Sequence, residues 1–216
     1  MITEAISIEM LELSKKLEFL KEFSFYLAGG TGLALQLGHR KSIDMDFFTS
    51  EKFSPEELSN TLRSAHLKLE KESRSHLTLH GTLEGVRVSF IYYEVNLLFP
   101  RLEFNSILIA DYRDIIAEKA RTIADRGKKK DFYDFYFGLQ IIDVEKTTEL
   151  ICGKFGKRIN YFHILKGLTY FEDAENDPPP VLLKKGIGWD NIKEFFINKI
   201  KDFEKYFALY EAQINF

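Results

Sequence analysis

The chain has 216 residues, 45% of them apolar and 29% charged, with a net charge of −3. That size and apolar content suit a folded protein of one or two domains and exclude a disordered chain, while the slight acidity excludes a generally basic nucleic-acid coat but not a local basic patch. No run approaches the ~18 uncharged apolar residues of a membrane helix. The first lysine stands at position 15, unlike a secretory leader, and Cys152 is alone, so a cytoplasmic location is the expectation. Twenty Phe and ten Tyr residues read foremost as core packing.

In chain order, Ile6, Met10, Leu13, Leu17 and Leu20 alternate in steps of four and three, which predicts an amphipathic helix. Phe25–Ala28 reads as a short buried strand stopped by Gly29 and Gly30, and Thr31–Leu37 as a short helix closed by Gly38. Ile43–Phe48 alternates apolar and acidic residues, the pattern of a strand, and Ser54-Pro55-Glu56-Glu57 is a strong helix start. From Leu67 to Tyr93 the period is two, with Gly81 and Gly85 as punctuation, which predicts strands paired antiparallel. After Pro100 the pattern is almost wholly helical, with Glu172–Asp177 and Pro178–Pro180 as the one clear loop. The expected fold class is therefore α+β: a small mixed-sheet core over residues 1–100 followed by a helical lobe over 101–216. Such a layout suggests two lobes with a ligand cleft between them.

Three constellations carry the chemistry. Asp44 and Asp46 lie two apart on the predicted strand, so both carboxylates face one way. Held that close, two anions repel unless a cation sits between them; a hard divalent ion such as Mg²⁺ suits them, and so does the wet face of an edge strand. Gly29-Gly30-Thr31-Gly32 stands at a strand-to-helix turn, where a phosphate can approach backbone N–H groups and where Thr31 can equally act as a cap. It is neither a Rossmann fingerprint nor a P-loop. Third, Lys119 falls inside the apolar stripe Tyr112, Ile115, Ile116, Ala120 and Ile123, so it either snorkels or meets an anion. Between Arg113 and Lys130 seven basic residues face three acids, a local excess of +4. This suits a triphosphate, an RNA backbone or a solvated loop. Asp131 and Asp134 follow on one helix face, where they can also serve as a capping pair.

The Gly-Gly-Thr turn followed within eighteen residues by Asp44-Met45-Asp46 resembles the signature of the DNA-polymerase-β-type nucleotidyltransferase superfamily. Lys119, then Arg126-Gly127-Lys128-Lys129-Lys130-Asp131-Phe132-Tyr133-Asp134, resembles the C-terminal motif of the AbiEii/AbiGii toxins, nucleotidyltransferase-like proteins of type IV toxin–antitoxin and phage-abortive-infection systems. The segments Leu27–Leu35 and Gly38–Phe48 fit the same family's front motifs; the likeness spans about Phe25 to Leu139, and nothing after Ile142 carries a motif. It implies that Gly29, Gly30 and Thr31 hold nucleotide phosphates, that Asp44 and Asp46 bind Mg²⁺, that Lys119 contacts the triphosphate, and that Asp131 is a distal acid on which activity depends. Ser42 would line the pocket, with Arg40 and Lys130 supporting either the phosphate or the acids. In that reading the helical lobe contributes Lys119 and Asp131 to the cleft. The implied substrates are an NTP and an RNA acceptor, tRNA first, and the implied partner is a cognate antitoxin. A small hydroxylated acceptor, or a non-catalytic nucleotide- or partner-binding module, are the alternatives. One departure stands out: Ser89 occupies the place of the third carboxylate expected in polymerase-type members, with Glu84, Glu94 or Asp131 as substitutes.

Overall fold

The computed structural model describes residues 1–184 and 186–214 and divides into two compact units. The first holds residues 1–36 and 42–111, the second residues 37–41 and 112–216.

The first unit is built on a seven-stranded mixed sheet in the order β3-β4-β5-β2-β1-β7-β6. Its strands are β1 (Tyr26–Leu27), β2 (Asp44–Thr49), β3 (Glu70–Ser75), β4 (Thr78–Leu83), β5 (Val86–Tyr92), β6 (Leu102–Phe104) and β7 (Ile107–Ile109). The β2–β5 and β1–β7 pairs are parallel and the others antiparallel. Helices α1 (Ile8–Lys16), α2 (Gly29–Leu37) and α3 (Pro55–Ser64) complete it. Ser54 caps α3 by accepting from the Glu57 amide, with Pro55 at the first helical position, as the sequence predicts. Along β2 the alternation sends Met45 and Phe47 into the core while Asp44, Asp46 and Phe48 stay half-buried on the other face. The core side is aromatic: Phe25 meets Phe53 and Phe90 edge-on, and Phe47 stacks on Phe90 at 5.5 Å.

The hairpin of β6 and β7 lies just after Pro100, where the sequence pattern reads as helix. Its strands are three residues each, too short for a period-two signal to show.

The second unit is helical: α4 (Tyr112–Arg126), α5 (Lys129–Leu139), α6 (Val144–Phe155), α7 (Tyr161–Thr169), the single turn α8 (Glu172–Glu175) and α9 (Trp189–Ile214). Phe132 packs against Phe171, Trp189 and Phe196, and Phe135 against Phe196 and Phe203, so much of the aromatic excess is core, as expected. Among the described residues no helix is long and apolar enough to cross a membrane. Residues 37–41 belong here by their bonding: Lys41 N–H donates to the Val181 carbonyl at 2.8 Å and Leu183 N–H to that of His39 at 2.9 Å. The chain therefore leaves the sheet unit after Gln36 and re-enters it at Ser42.

Helices α4 and α7 approach closely at Gly167, where an added Cβ would lie 2.5 Å from the Ala124 Cα. Gly167→Ala is expected to destabilise the helical unit by about 1–3 kcal/mol through overpacking. Gly153→Ala, on the exposed side of α6 with nothing near the added carbon, should instead stabilise it by about 0.5–1 kcal/mol. Urea denaturation followed by circular dichroism reads both signs.

Candidate active site

In the sheet unit the glycine turn and the acidic strand meet. Gly29 opens α2 at φ +59, a left-handed conformation that an L side chain resists, and an added Cβ would stand 3.5 Å from Asp46 Oδ2. The Ala28 N–H donates to the Asp46 carbonyl at 3.0 Å, which ties the turn to β2. Thr31 Oγ1 and Ser42 Oγ lie 2.7 Å apart, both buried, and Thr31 Oγ1 also donates to the Asp44 carbonyl. A hydroxyl has one proton to give, so Ser42 donates to Thr31 and Thr31 to Asp44. Both hydroxyls therefore hold the start of β2. The groups of Gly30 and Thr31 that suit a phosphate are the backbone amides of the first turn of α2.

In the parallel β2–β5 register Asp44 stands beside Arg87 and Asp46 beside Ser89. Ser89 thus occupies the neighbouring position on the acidic face, as the sequence places it. Arg87 reaches Asp44: one guanidinium nitrogen is 2.7 Å from Oδ1. Glu84 instead pairs with Lys16 at 2.6 Å, and Glu94 is exposed past the end of β5.

Among the described residues no group of three or more His, Cys, Asp or Glu side chains is gathered for a metal. Two carboxylates on one strand face nevertheless fit a hard divalent cation. Such an ion takes one or two carboxylates and completes its shell with substrate phosphates and water, and the Gly29 backbone leaves room beside Asp46 that a side chain would fill.

The helical unit holds a second cluster. Lys119 on α4, 3% exposed, places Nζ 2.7 Å from Asp131 Oδ1 and 2.6 Å from Asp134 Oδ2, both acids fully buried on α5. Arg40 grips Asp134 with two nitrogens, at 2.6 and 2.9 Å, and His39 Nε2 lies 2.7 Å from Asp134 Oδ1. Arg126 reaches both Asp131 oxygens, at 3.0 and 3.2 Å. Of the readings open for Lys119, the structure shows an anion partner: its ammonium does not snorkel. Asp131 and Asp134 are ion-pair centres instead of a capping pair.

Burial opposes every charge here, and the pairing outweighs it. Asp131 is held below the usual carboxylate range by Lys119 and Arg126, Asp134 well below it by Arg40 and Lys119, and Lys119 above the usual lysine range by the two acids. Burial depresses His39, which is neutral with Nε2–H donating to Asp134; its buried Nδ1 has no hydrogen-bond partner, so the ring's one proton belongs on Nε2.

Part of the local basic excess is spent inside the protein. Lys129 is buried, donating to the Glu175 carbonyl at 2.9 Å and lying 5.2 Å from the Trp189 ring centre, while its amide donates to Asp177. Arg121 pairs with Asp125 at 3.1 Å. Lys130 is half-buried and Lys128 exposed. Arg87, the hub role of Asp134 and the bond from His39 are what sequence reasoning missed. Period-two spacing puts Arg87 on one face with Ser89, but only the strand pairing sets it beside Asp44.

A family profile described as nucleotidyl transferase AbiEii toxin of the type IV toxin–antitoxin system matches residues 18–209. The chain belongs to the AbiEii nucleotidyltransferase toxin family. It is 38% identical over 189 residues to the uncharacterized protein aq_aa25 of Aquifex aeolicus (strain VF5), covering 83% of this chain and 87% of that one. The fold is similar to that of MenT4, the nucleotidyltransferase toxin Rv2826c of Mycobacterium tuberculosis H37Rv, at a TM-score of 0.56 and 16% identity over 91% of this chain and 86% of that one. As an AbiEii-family member with this fold the protein is a nucleotidyltransferase. Its substrate is an NTP, and the family implies an antitoxin partner.

Removing the Asp134 carboxylate leaves Arg40 and Lys119 buried without it, so Asp134→Ala is expected to cost about 3–5 kcal/mol of stability, read by urea denaturation. The pH dependence has a fixed sign. Because His39 is depressed in the fold, its contribution is full above the ordinary histidine value of about 6.5 and is lost as pH falls through the folded value. His39→Gln should flatten that slope in a denaturation series between pH 4.5 and 8.

Proposed function

We propose that the protein is a divalent-metal-dependent enzyme, with Mg²⁺ as its ion, that transfers a nucleotide from an NTP to the hydroxyl of an RNA acceptor, tRNA foremost. The observation that carries this reading is the juxtaposition of Asp44 and Asp46, facing one way on β2, with the glycine turn that opens α2.

Asp44 and Asp46 would hold the ion, which when bound supplies charge neutralisation at the phosphate under attack. Gly29 keeps the backbone beside Asp46 clear of a side chain, and the amides of Gly30 and Thr31 suit phosphate oxygens at a helix start. Ser42 and Thr31 fix the carbonyl of Asp44 and thereby the entry of β2. Lys119, and Lys130 and Arg40 as supports, are assigned to the triphosphate or to the acids by the family likeness. The ammonium of Lys119 is shared between Asp131 and Asp134, so of those two roles its contacts favour holding the acids. Asp131 is the distal acid of this reading. With Ser89 beside Asp46 in place of a third carboxylate, transfer relies on an oriented acceptor hydroxyl more than on a strong base. An RNA acceptor accords with the family's toxin role, and a cytoplasmic site of action accords with both.

The test is incubation with each NTP, labelled in turn at the α- and γ-phosphate, with Mg²⁺ and total bacterial RNA. Transfer of α-label to RNA, abolished by EDTA and reduced at least ~100-fold in Asp44→Ala and Asp46→Ala, is the expected result. Label in a small-molecule fraction alone would replace the RNA acceptor. Label from the γ-phosphate alone, or transfer unaffected by either substitution, would overturn the reading.

A further inference from the structure

The geometry points to Arg87 as a displaceable counter-ion that occupies Asp44 until a divalent cation takes its place. This rests on the reading of Asp44 and Asp46 as the metal-holding pair. Three observations carry it. Arg87 lies opposite Asp44 in the parallel β2–β5 register, on the same face. One of its guanidinium nitrogens lies 2.7 Å from Asp44 Oδ1, on the carboxylate assigned to the metal. Its side chain is 65% exposed against 27% for Asp44, so the arginine end of the pair lies in solvent and the pair is only modestly held.

The contrast with Arg40 is instructive. Arg40 is 4% exposed and holds Asp134 through two nitrogens; removing it would strand a buried charge. Arg87 can swing into water at small cost, because its guanidinium stays solvated on leaving. A divalent ion and a guanidinium on one carboxylate repel each other, so the arrival of the metal expels the arginine. The freed guanidinium, anchored one strand away from the acidic pair, then faces the phosphates that such a metal accompanies, for which its planar donor fork is suited. Arg87 thus lowers the repulsion between Asp44 and Asp46 in the unloaded protein and disfavours metal binding without nucleotide.

The experiment is titration of the purified full chain with Mn²⁺ alone, free ion being read by electron paramagnetic resonance. Arg87→Ala should bind Mn²⁺ about fivefold more tightly than wild type, the size expected on losing a competing surface pair, while Arg87→Lys stays near wild type. In an Asp44→Asn background the same Arg87→Ala change should bring no gain. Equal or weaker binding by Arg87→Ala, or the same gain in the Asp44→Asn background, overturns the proposal while leaving the metal reading intact. Mn²⁺ binding that neither Asp44→Asn nor Asp46→Asn alters overturns the metal reading and the proposal together, and absence of binding by every variant, Arg87→Ala included, overturns the proposal. Arg87 is largely in solvent, so circular dichroism should show an unchanged fold.

Discussion

A carboxylate with no exposed surface has to be neutralised where it lies, and Asp134 is such a group. Water cannot screen it, so Arg40, Lys119 and the N–H of His39 converge on its two oxygens. The consequence for the chain path is direct. Because His39 and Arg40 are bound to α5 in this way, residues 37–41 fold with the helices even though they lie between α2 and β2 in sequence. The backbone bonds to Val181 and Leu183 follow the same commitment. Asp131 repeats the logic one helical turn earlier, with Lys119 shared between the two acids and Arg126 closing the outer side.

The acidic strand obeys a different electrostatic regime. Asp44 and Asp46 are half-buried, not sealed, and the exposed Arg87 lies on Asp44. A sealed network such as that of Asp134 resists exchange of partners, whereas a half-open pair permits it. The two clusters thus divide the work: one is built to stay as it is, the other to change its counter-ion. The hydroxyls of Thr31 and Ser42 serve the rigid side of that division, because they fix the backbone at Asp44 through its carbonyl.

Much of the fold was legible in the residues. The cap at Ser54, the alternation along β2 and β5, the glycine turn that opens α2 and the amphipathic stripe of α4 each have a local physical signature, and the elements formed where those signatures stand. The short β6–β7 hairpin and α8 had none, since three or four residues cannot establish a period. The anomaly of Lys119 within an apolar stripe was also visible, but the identity of its partners was not. A lysine's need for an anion is a property of the residue; which anion answers depends on the crossing of α4 and α5.

By itself the sequence determined the α+β class, the acidic pair facing one way, the glycine turn before it and the family to which these belong, because each rests on spacing within one element or on a contiguous motif. Only the tertiary structure decided how the charges are spent. That Lys119 and Arg126 are held by Asp131 and Asp134 and Lys129 by the Glu175 carbonyl, and that Arg87 lies on Asp44, follow from contacts that the spacing within one element does not encode. Charge is neutralised through space, and its partner is whatever the packing brings within about 3 Å.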